Sequence, residues 1–145
     1  MEIRPMIPVD TEKSPTMCFG CGQDNPIGLK LKFDWTDGVA RAEFTPDERH
    51  QGWSNIVHGG IISSLLDEAL SYPPYFTGMP CLTAKMEVRL RSTILIGEPL
   101  VVSAGISKKN RRLVETWATL ELKDGTVVAE AKGVMFVIRG KGKGA

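Results

Sequence analysis

The segment from Gly59 to Tyr72 carries the one convincing helical pattern in the chain, and it constrains the fold more than any other feature. At about 100° per residue, its apolar side chains fall on one half of a helical wheel and its polar side chains on the other. The apolar half comprises Ile61, Ile62, Leu65, Leu66, Ala69 and Leu70. Because proline has no N–H to donate, Pro73 and Pro74 predict that the helix stops at Tyr72. A single amphipathic helix must bury its apolar half against another layer of structure.

Alternating apolar and polar residues predict β-strands on both sides of this helix. Before it, residues 29–33 and 39–44 alternate around a turn signal at 36–38, which predicts a β-hairpin. After it, segments rich in Val, Thr and Ile predict four strands, at 85–91, 100–107, 113–122 and 126–138. The short connections make successive strands antiparallel. The predicted fold class is therefore α+β, with one long central helix on a curved antiparallel sheet of five to six strands.

The length and composition favour one domain with two irregular ends. A chain of 145 residues can bury one substantial core but not two. Prolines and glycines interrupt residues 1–28, so this segment is predicted to be an irregular N-terminal arm that covers the domain. Residues 29–139 form the predicted domain, and the Gly/Lys-rich residues 140–145 a flexible tail.

The net charge and the hydropathy of the chain indicate which binding partners and which cellular compartment to expect. Eighteen Lys and Arg against seventeen Asp and Glu leave a net charge of +1, which supplies no bulk attraction to nucleic acid or to an anionic membrane. No apolar run reaches the roughly 18 residues of a membrane span, and the first ten residues lack the apolar core of a secretory signal. The sequence therefore predicts a cytoplasmic protein that binds neither nucleic acid nor membrane.

The three cysteines do not form a pattern that predicts a disulfide framework. Cys18 and Cys21 supply only two of the four ligands of a structural zinc ion, and no second pair follows. A redox pair, or a zinc site shared across a dimer, remains open, but a loop with two ordinary thiols is favoured, and no metal site or cofactor is predicted. A nucleophilic pair of Cys81 with His58 is disfavoured because no third group orients the histidine.

The stretch from His58 to Asp67 holds the strongest candidate for a reactive site. A helix that begins at Gly59 or Gly60 presents unpaired N–H groups and a partial positive charge, which can hold an oxyanion. Asp67 lies on the polar half of the same helix. The alternative is structural, because a histidine followed by two glycines is often only a turn before a helix, and acidic residues on a polar helix face are usually solvated.

Four stretches resemble the hotdog-fold acyl-CoA thioesterases, specifically the PaaI-like (phenylacetate-degradation) group of the 4-hydroxybenzoyl-CoA thioesterase superfamily. They are CFGCGQDNPIGLKLKF (18–33), HQGWSNIVHGGIISSLLDE (50–68), LTAKMEVRLRSTILIGEPL (82–100) and DGTVVAEAKGVMFV (124–137). The resemblance implies hydrolysis of an acyl-CoA or aryl-acyl-CoA thioester, with CoA entering as part of the substrate. It also implies a homodimer, or a dimer of dimers, whose active sites form between subunits.

The resemblance also implies roles for individual residues. Asp67 would be the nucleophile or the general base, Gly59 would donate its N–H to the thioester oxygen, and His58 would orient that region. Thr83, supplied by the partner subunit, would position the attacking water. Many relatives carry Asn or Gln six residues before the motif histidine, where this chain has Gly52.

The remaining expectations concern substrate binding and alternatives. Substrate contacts are expected from Gly60, Asn55, Gln51, Arg89, Arg91, Lys108 and Arg111, the last four toward the CoA phosphates. Glu68 is interpreted as helix surface or an interface ion pair. A non-catalytic hotdog protein that binds acyl-CoA is the main alternative, and a hotdog dehydratase or hydratase is a weaker one.

Overall fold

The computed structural model describes residues 8–138, in which a curved sheet of six strands wraps one long helix. The strands are β1 (Asp34–Thr36), β2 (Val39–Phe44), β3 (Cys81–Leu90), β4 (Leu100–Lys109), β5 (Leu113–Leu122) and β6 (Val127–Val137). The helix α1 spans Gly59–Phe76, and a short 3-10 helix spans Glu48–His50. All neighbouring strands are antiparallel, in the order β1-β2-β4-β5-β6-β3. The predicted fold class is confirmed, and β3 begins at Cys81, four residues before its predicted start at Lys85.

The apolar half of α1 forms the centre of the core against the inner face of the sheet. Leu65, Leu66, Ala69 and Leu70 have no exposed surface, as the wheel predicts. Each fully buried leucine stabilises the fold by about 1.5–3 kcal/mol relative to an exposed one. At Gly133 on β6, an added Cβ would lie 2.9 Å from Leu70 Cδ1, so the glycine allows the helix to approach the sheet closely.

The predicted helix end at Tyr72 is wrong, because α1 continues through Pro73 and Pro74 to Phe76. Both prolines are buried, and their carbonyls are satisfied beyond the helix end. The Thr77 N–H and hydroxyl donate to the two proline carbonyls at 2.9–3.2 Å, and the Met79 N–H donates to the Pro74 carbonyl at 2.8 Å. The prolines remove two donors from the last turn, while these contacts keep its acceptors paired.

The predicted first strand at residues 29–33 is also wrong, although the hairpin turn is confirmed. Asp37 and Gly38 both have positive φ (52° and 75°), as a two-residue hairpin turn of the I′ type requires, and β1 covers only Asp34–Thr36. Lys30 has φ 55°, which interrupts an extended strand. Leu29 and Leu31 are still buried, but their N–H groups donate to the carbonyls of Phe19 and Gly20 in the N-terminal arm.

The N-terminal arm is irregular where the structure describes it. Between residues 8 and 28 the structure contains turns and bends but no helix and no named strand. The predicted tail at 140–145 lies outside the described residues. Within residues 8–138, the one α-helix is too polar or too short to cross a lipid bilayer.

Candidate active site

The N-terminus of α1 is closed by His58, whose side chain acts as the helix cap. Its Nδ1 accepts a hydrogen bond from the Gly60 N–H at 2.8 Å. Because Nδ1 is the acceptor, it carries no proton, and Nε2 is the ring nitrogen left to donate. His58 therefore caps the helix start, and the Gly60 N–H is already hydrogen-bonded to this cap.

Gly59 offers the N–H that the cap leaves free. As the first residue of α1 it has no intrahelical acceptor, and no described residue accepts a hydrogen bond from it. It opens onto a cleft of about 410 Å³ lined by Gly52, Trp53, Ile56, Val57, His58 and Gly59. A free N–H at a helix start, facing a cleft, is suited to binding a carbonyl oxygen as it gains negative charge.

Asp67 of α1 forms a hydrogen-bonded polar pair with Thr83 of β3. The Thr83 hydroxyl, on β3, donates to Asp67 Oδ1 at 2.6 Å, and Thr83 is exposed. The resemblance implied a threonine from the partner subunit, whereas here the threonine of the same chain already holds the carboxylate. Gly59 and Asp67 are eight residues apart, so they are separated by about 12 Å along the helix axis. One carbonyl group cannot contact both within a single chain.

Gln51 and Asn55, which were also predicted to contact substrate, lie in the loop before the helix, together with Gly52. Gln51 Oε1 accepts from the Asn55 N–H at 2.8 Å, so Gln51 closes its own loop. Asn55, with φ 67°, sits at the loop bend and is exposed. Gly52 lies against the histidine, because a Cβ added there would be 3.4 Å from His58 Cα. A larger side chain at position 52 would occupy part of the cleft.

The four basic residues predicted for CoA binding lie at two separate ends of β3. Arg89 and Arg91 lie at its C-terminal end, where Arg91 Nη2 contacts Glu130 Oε1 at 2.6 Å and the pKa of Arg91 is raised by that bond. Lys108 and Arg111 lie at the other end, because the Val137 N–H bonds the Arg112 carbonyl and Val137 pairs with Cys81 at the start of β3. All four are exposed.

Cys81 and His58 also lie at opposite ends of β3, so the structure does not bring them together. Leu90, the last residue of β3, lies beside Gly59, with its Cδ1 3.9 Å from the position of an added Cβ. Cys81 begins the strand and its thiol donates to the Met79 carbonyl at 3.1 Å. Burial raises the pKa of Cys81 to about 11, which suppresses the nucleophilic thiolate.

The interpretation of Glu68 as surface or as an interface ion pair is wrong. Its carboxylate is covered by the N-terminal arm and contacts the Cys18 thiol at 3.7 and 3.8 Å. Burial, and then the neighbouring Glu68, raise the pKa of Cys21 to about 12, and burial raises the pKa of Glu68. This contact joins residues that are 50 positions apart in the sequence. The spacing of Cys18 and Cys21 is the one sequence feature that points to the cluster, and it does not indicate that the thiols lie against the helix.

The architecture of one helix wrapped by an antiparallel sheet is that of the hotdog class. The sequence profile of the thioesterase superfamily matches residues 54–129, and the chain belongs to that family. Comparison with curated proteins finds no significant match.

Solved structures share the fold. One is the crystal structure of a thioesterase superfamily protein whose sequence is 25% identical to this chain, with a TM-score of 0.78. The match covers 84% of this chain, and this chain spans only 60% of that protein's length. The PaaI protein of the E. coli phenylacetic acid degradation operon is 18% identical, with a TM-score of 0.72 and coverage of 78% of this chain and 83% of its own.

A hypothetical thioesterase of Streptococcus pneumoniae, solved with coenzyme A, also has this fold. It is 15% identical, with a TM-score of 0.71 and coverage of 77% of this chain and 88% of its own. Structures of the pneumococcal protein also exist with an aspartate or a threonine replaced by alanine. Those two residues are sixteen positions apart in that protein.

Proposed function

We propose that this protein hydrolyses acyl-CoA or aryl-acyl-CoA thioesters, with Asp67 and Thr83 as the reactive pair. The observation that carries the proposal is the 2.6 Å hydrogen bond from the Thr83 hydroxyl to the Asp67 carboxylate. Membership of the thioesterase superfamily supports it. So does the spacing of Asp67 and Thr83, which are sixteen positions apart like the aspartate and threonine replaced in the pneumococcal protein.

In the proposed reaction the thioester carbonyl is polarised by the Gly59 N–H while Asp67 drives the attack. The hydrogen bond from Thr83 occupies Oδ1, and no residue among 8–138 donates a hydrogen bond to Oδ2 of Asp67. That oxygen either takes a proton from water, which attacks the carbonyl carbon, or attacks the carbon itself to form an anhydride that water then hydrolyses. In both routes the carbon–sulfur bond breaks, and CoA leaves as a thiolate that takes a proton from solvent. A single turnover in ¹⁸O-water tests for direct attack, because an acid product that lacks the label and carries an Asp67 oxygen can arise only from the anhydride.

The site is completed by a second copy of the chain. Among the described strands β3 pairs only with β6, so its other edge is open to another strand. Pairing β3 with its copy about a two-fold axis is antiparallel, so the Thr83 end of one strand lies beside the Leu90 end of the other. Leu90 adjoins Gly59. The dimer thus brings Asp67 and Thr83 of one protomer toward Gly59 of the other, which removes the separation of about 12 Å within one chain.

The same pairing gathers the basic residues that a single chain keeps apart. Arg89 lies at one end of β3, and Lys108 and Arg111 lie near the other. In the antiparallel dimer these two groups approach each other across the subunit boundary. Together they can bind the 3′-phosphate and pyrophosphate of CoA.

The experiment is a panel of short, medium-length and aromatic acyl-CoA esters, with release of free thiol as the readout. We expect turnover by the wild type, and a fall in kcat of about 100- to 10,000-fold for Asp67→Asn. Asp34→Asn, at an exposed aspartate of β1 on the opposite edge of the sheet from β3, is the matched control and keeps wild-type activity. If no ester is hydrolysed above background, or if Asp67→Asn is as fast as the wild type, the proposal fails.

The second candidate function is binding of acyl-CoA without turnover. Gly52 favours it, because this position has no side chain that could contact the thioester or the water. Acyl-CoA affinity without thiol release, unchanged in Asp67→Asn, would identify the protein as a binding module.

A further inference from the structure

The N-terminal arm closes over α1 at a cluster of three metal-ligating side chains, Cys18, Cys21 and Glu68. Their sulfur and oxygen atoms all lie within 4.8 Å of one another. All three residues are partly buried, and the cluster faces a different side of α1 from Asp67, since consecutive helix residues are about 100° apart. The proposed reaction uses none of the three.

The separation of the Cys18 sulfur from the Glu68 carboxylate is close to the edge of a tetrahedral zinc site, and the Cys21 sulfur lies within 4.8 Å of both. Bonds of about 2.3 Å to sulfur and 2.0 Å to a carboxylate oxygen, at tetrahedral angles, place those ligand atoms about 3.5 Å apart. The Cys18 sulfur lies 3.7 Å from Glu68 Oε1 and 3.8 Å from Oε2. Small rotations of the side chains are therefore enough to converge on one ion.

The backbone of the arm is built to bring the two thiols to the helix. The Gly22 N–H donates to the Cys18 carbonyl at 2.9 Å, which turns the chain so that both cysteines lie on the same side. A Cβ at Gly20 would collide with the Glu68 carboxylate, and one at Gly22 would collide with the Cys18 backbone. Glycine is therefore required at both positions for this close approach.

The arm is tied to the domain from its other side as well. The Phe19 and Gly20 carbonyls, inside the turn, accept hydrogen bonds from the Leu29 and Leu31 N–H groups at 2.8 and 2.9 Å. Leu29 and Leu31 are themselves buried in the core. The two cysteines are thus presented by a segment that is anchored on both sides, which preorganises the ligands.

We propose that Cys18, Cys21 and Glu68 bind one Zn²⁺ ion per chain, with water as the fourth ligand, and that this ion fastens the N-terminal arm to α1. Two thiolates are the soft ligands that zinc prefers, and the carboxylate completes a three-residue set from two segments that are far apart in sequence. Each thiol releases its proton to solvent as its sulfur binds the metal. The ion holds the arm on α1 and takes no part in the proposed reaction, because it lies outside the Asp67–Thr83 pair and needs no change in it.

The test is a titration of the full-length, reduced and chelator-treated protein with Co²⁺ under anaerobic conditions, followed by displacement with Zn²⁺. We expect one Co²⁺ per chain, with a sulfur-to-cobalt charge-transfer band and the intense visible bands of a tetrahedral site. Added Zn²⁺ abolishes both sets of bands and raises the Tm. This readout needs no variant and no enzymatic activity.

Variants then assign the ligands. Cys18→Ser and Cys21→Ser lose the charge-transfer band or weaken Zn²⁺ binding by at least about 100-fold, and Glu68→Gln weakens it by about 10-fold or more. Cys81→Ser is the matched control, because Cys81 is the third partly buried free cysteine and lies outside the cluster, so it binds Zn²⁺ like the wild type.

Three outcomes would overturn the proposal. One is a folded, reduced wild type that gives no charge-transfer band. Another is a Cys81→Ser variant that loses Zn²⁺ as Cys18→Ser does. The third is a reduced chain that binds no Co²⁺ but loses two thiols, at Cys18 and Cys21, on mild oxidation, which would identify the cluster as a redox pair.

Discussion

The first residue of α1 can lose its N–H without losing the helix, which gives a direct test of the oxyanion role. Proline is favoured at the first helical position, and His58 already has the extended conformation (φ −63°, ψ 136°) that precedes proline. We expect Gly59→Pro to fold normally and to lower kcat by about 100- to 1,000-fold, because it removes the proposed oxyanion donor.

Gly59→Ala is the matched control at the same position. It keeps the N–H, and its Cβ would meet only Leu90 Cδ1, at 3.9 Å. It should retain activity within a few-fold in the thiol-release assay. Equal loss of activity in the two variants, with unchanged circular dichroism, would show that side-chain volume matters at this position and the N–H does not.

Thr83 provides a second residue-scale prediction, because its hydroxyl makes the shortest contact of Asp67. Thr83→Val keeps the shape and removes the donor, so kcat should fall by about 10-fold or more as the carboxylate loses its orientation. Thr83→Ser keeps the hydroxyl and should restore most of the rate. If Thr83→Val and Thr83→Ser have the same kcat, the hydrogen bond does not contribute to the reaction.

At the scale of the element, the segment from Leu29 to Phe33 shows why alternation alone does not make a strand. Leu29 and Leu31 are buried and the intervening residues are exposed or partly exposed, so the pattern is satisfied. The backbone nevertheless turns at Lys30 (φ 55°) to hydrogen-bond the arm. The alternation of apolar and polar residues indicates which side chains face the core. The hydrogen-bond acceptor of each backbone N–H depends instead on a segment that is distant in the sequence.

That backbone conformation leads to a stability prediction. Lys30→Gly should raise the free energy of unfolding by about 1 kcal/mol, because glycine adopts positive φ without the steric penalty of a Cβ. Lys32→Gly, two residues on and without positive φ, should instead lower it by about 0.5–1 kcal/mol. Urea denaturation of both variants measures the difference, and a Lys30→Gly variant less stable than wild type would contradict the expectation.

At the scale of the whole molecule, the helix and the sheet were predictable from the sequence, but the contacts between distant segments were not. Periodicity located α1 and five of the six strands, since it depends on neighbouring residues. It could not predict that the helix would continue through two prolines to a cap at Thr77, or that the arm would cover Glu68, because these depend on contacts made by the folded chain. The resemblance implied a role for Asp67 and, from the partner subunit, for Thr83, but it did not predict the contact between them within one chain.

The proposed shared site predicts that two inactive chains can restore each other. Co-expressed Gly59→Pro and Asp67→Asn chains form mixed dimers in which one of the two sites has both native groups. Random pairing makes half of the dimers mixed, so about one quarter of wild-type activity should return. Active sites contained within one chain would give no recovery, and dimers purified by two different tags make the measurement independent of expression level.

Trp53 gives the protein its own optical reporter. Its indole is 87% exposed on the wall of the cleft beside Gly59, whereas Trp35 stacks on Phe76 with ring centroids 5.3 Å apart, and Trp117 packs against Gly105. A solvated indole emits at longer wavelength than a covered one, so a ligand that fills the cleft should shift the intrinsic fluorescence to the blue, and Trp53→Phe should abolish that shift. Occupancy of the cleft can thus be followed in unlabelled protein, with esters that are bound but not hydrolysed.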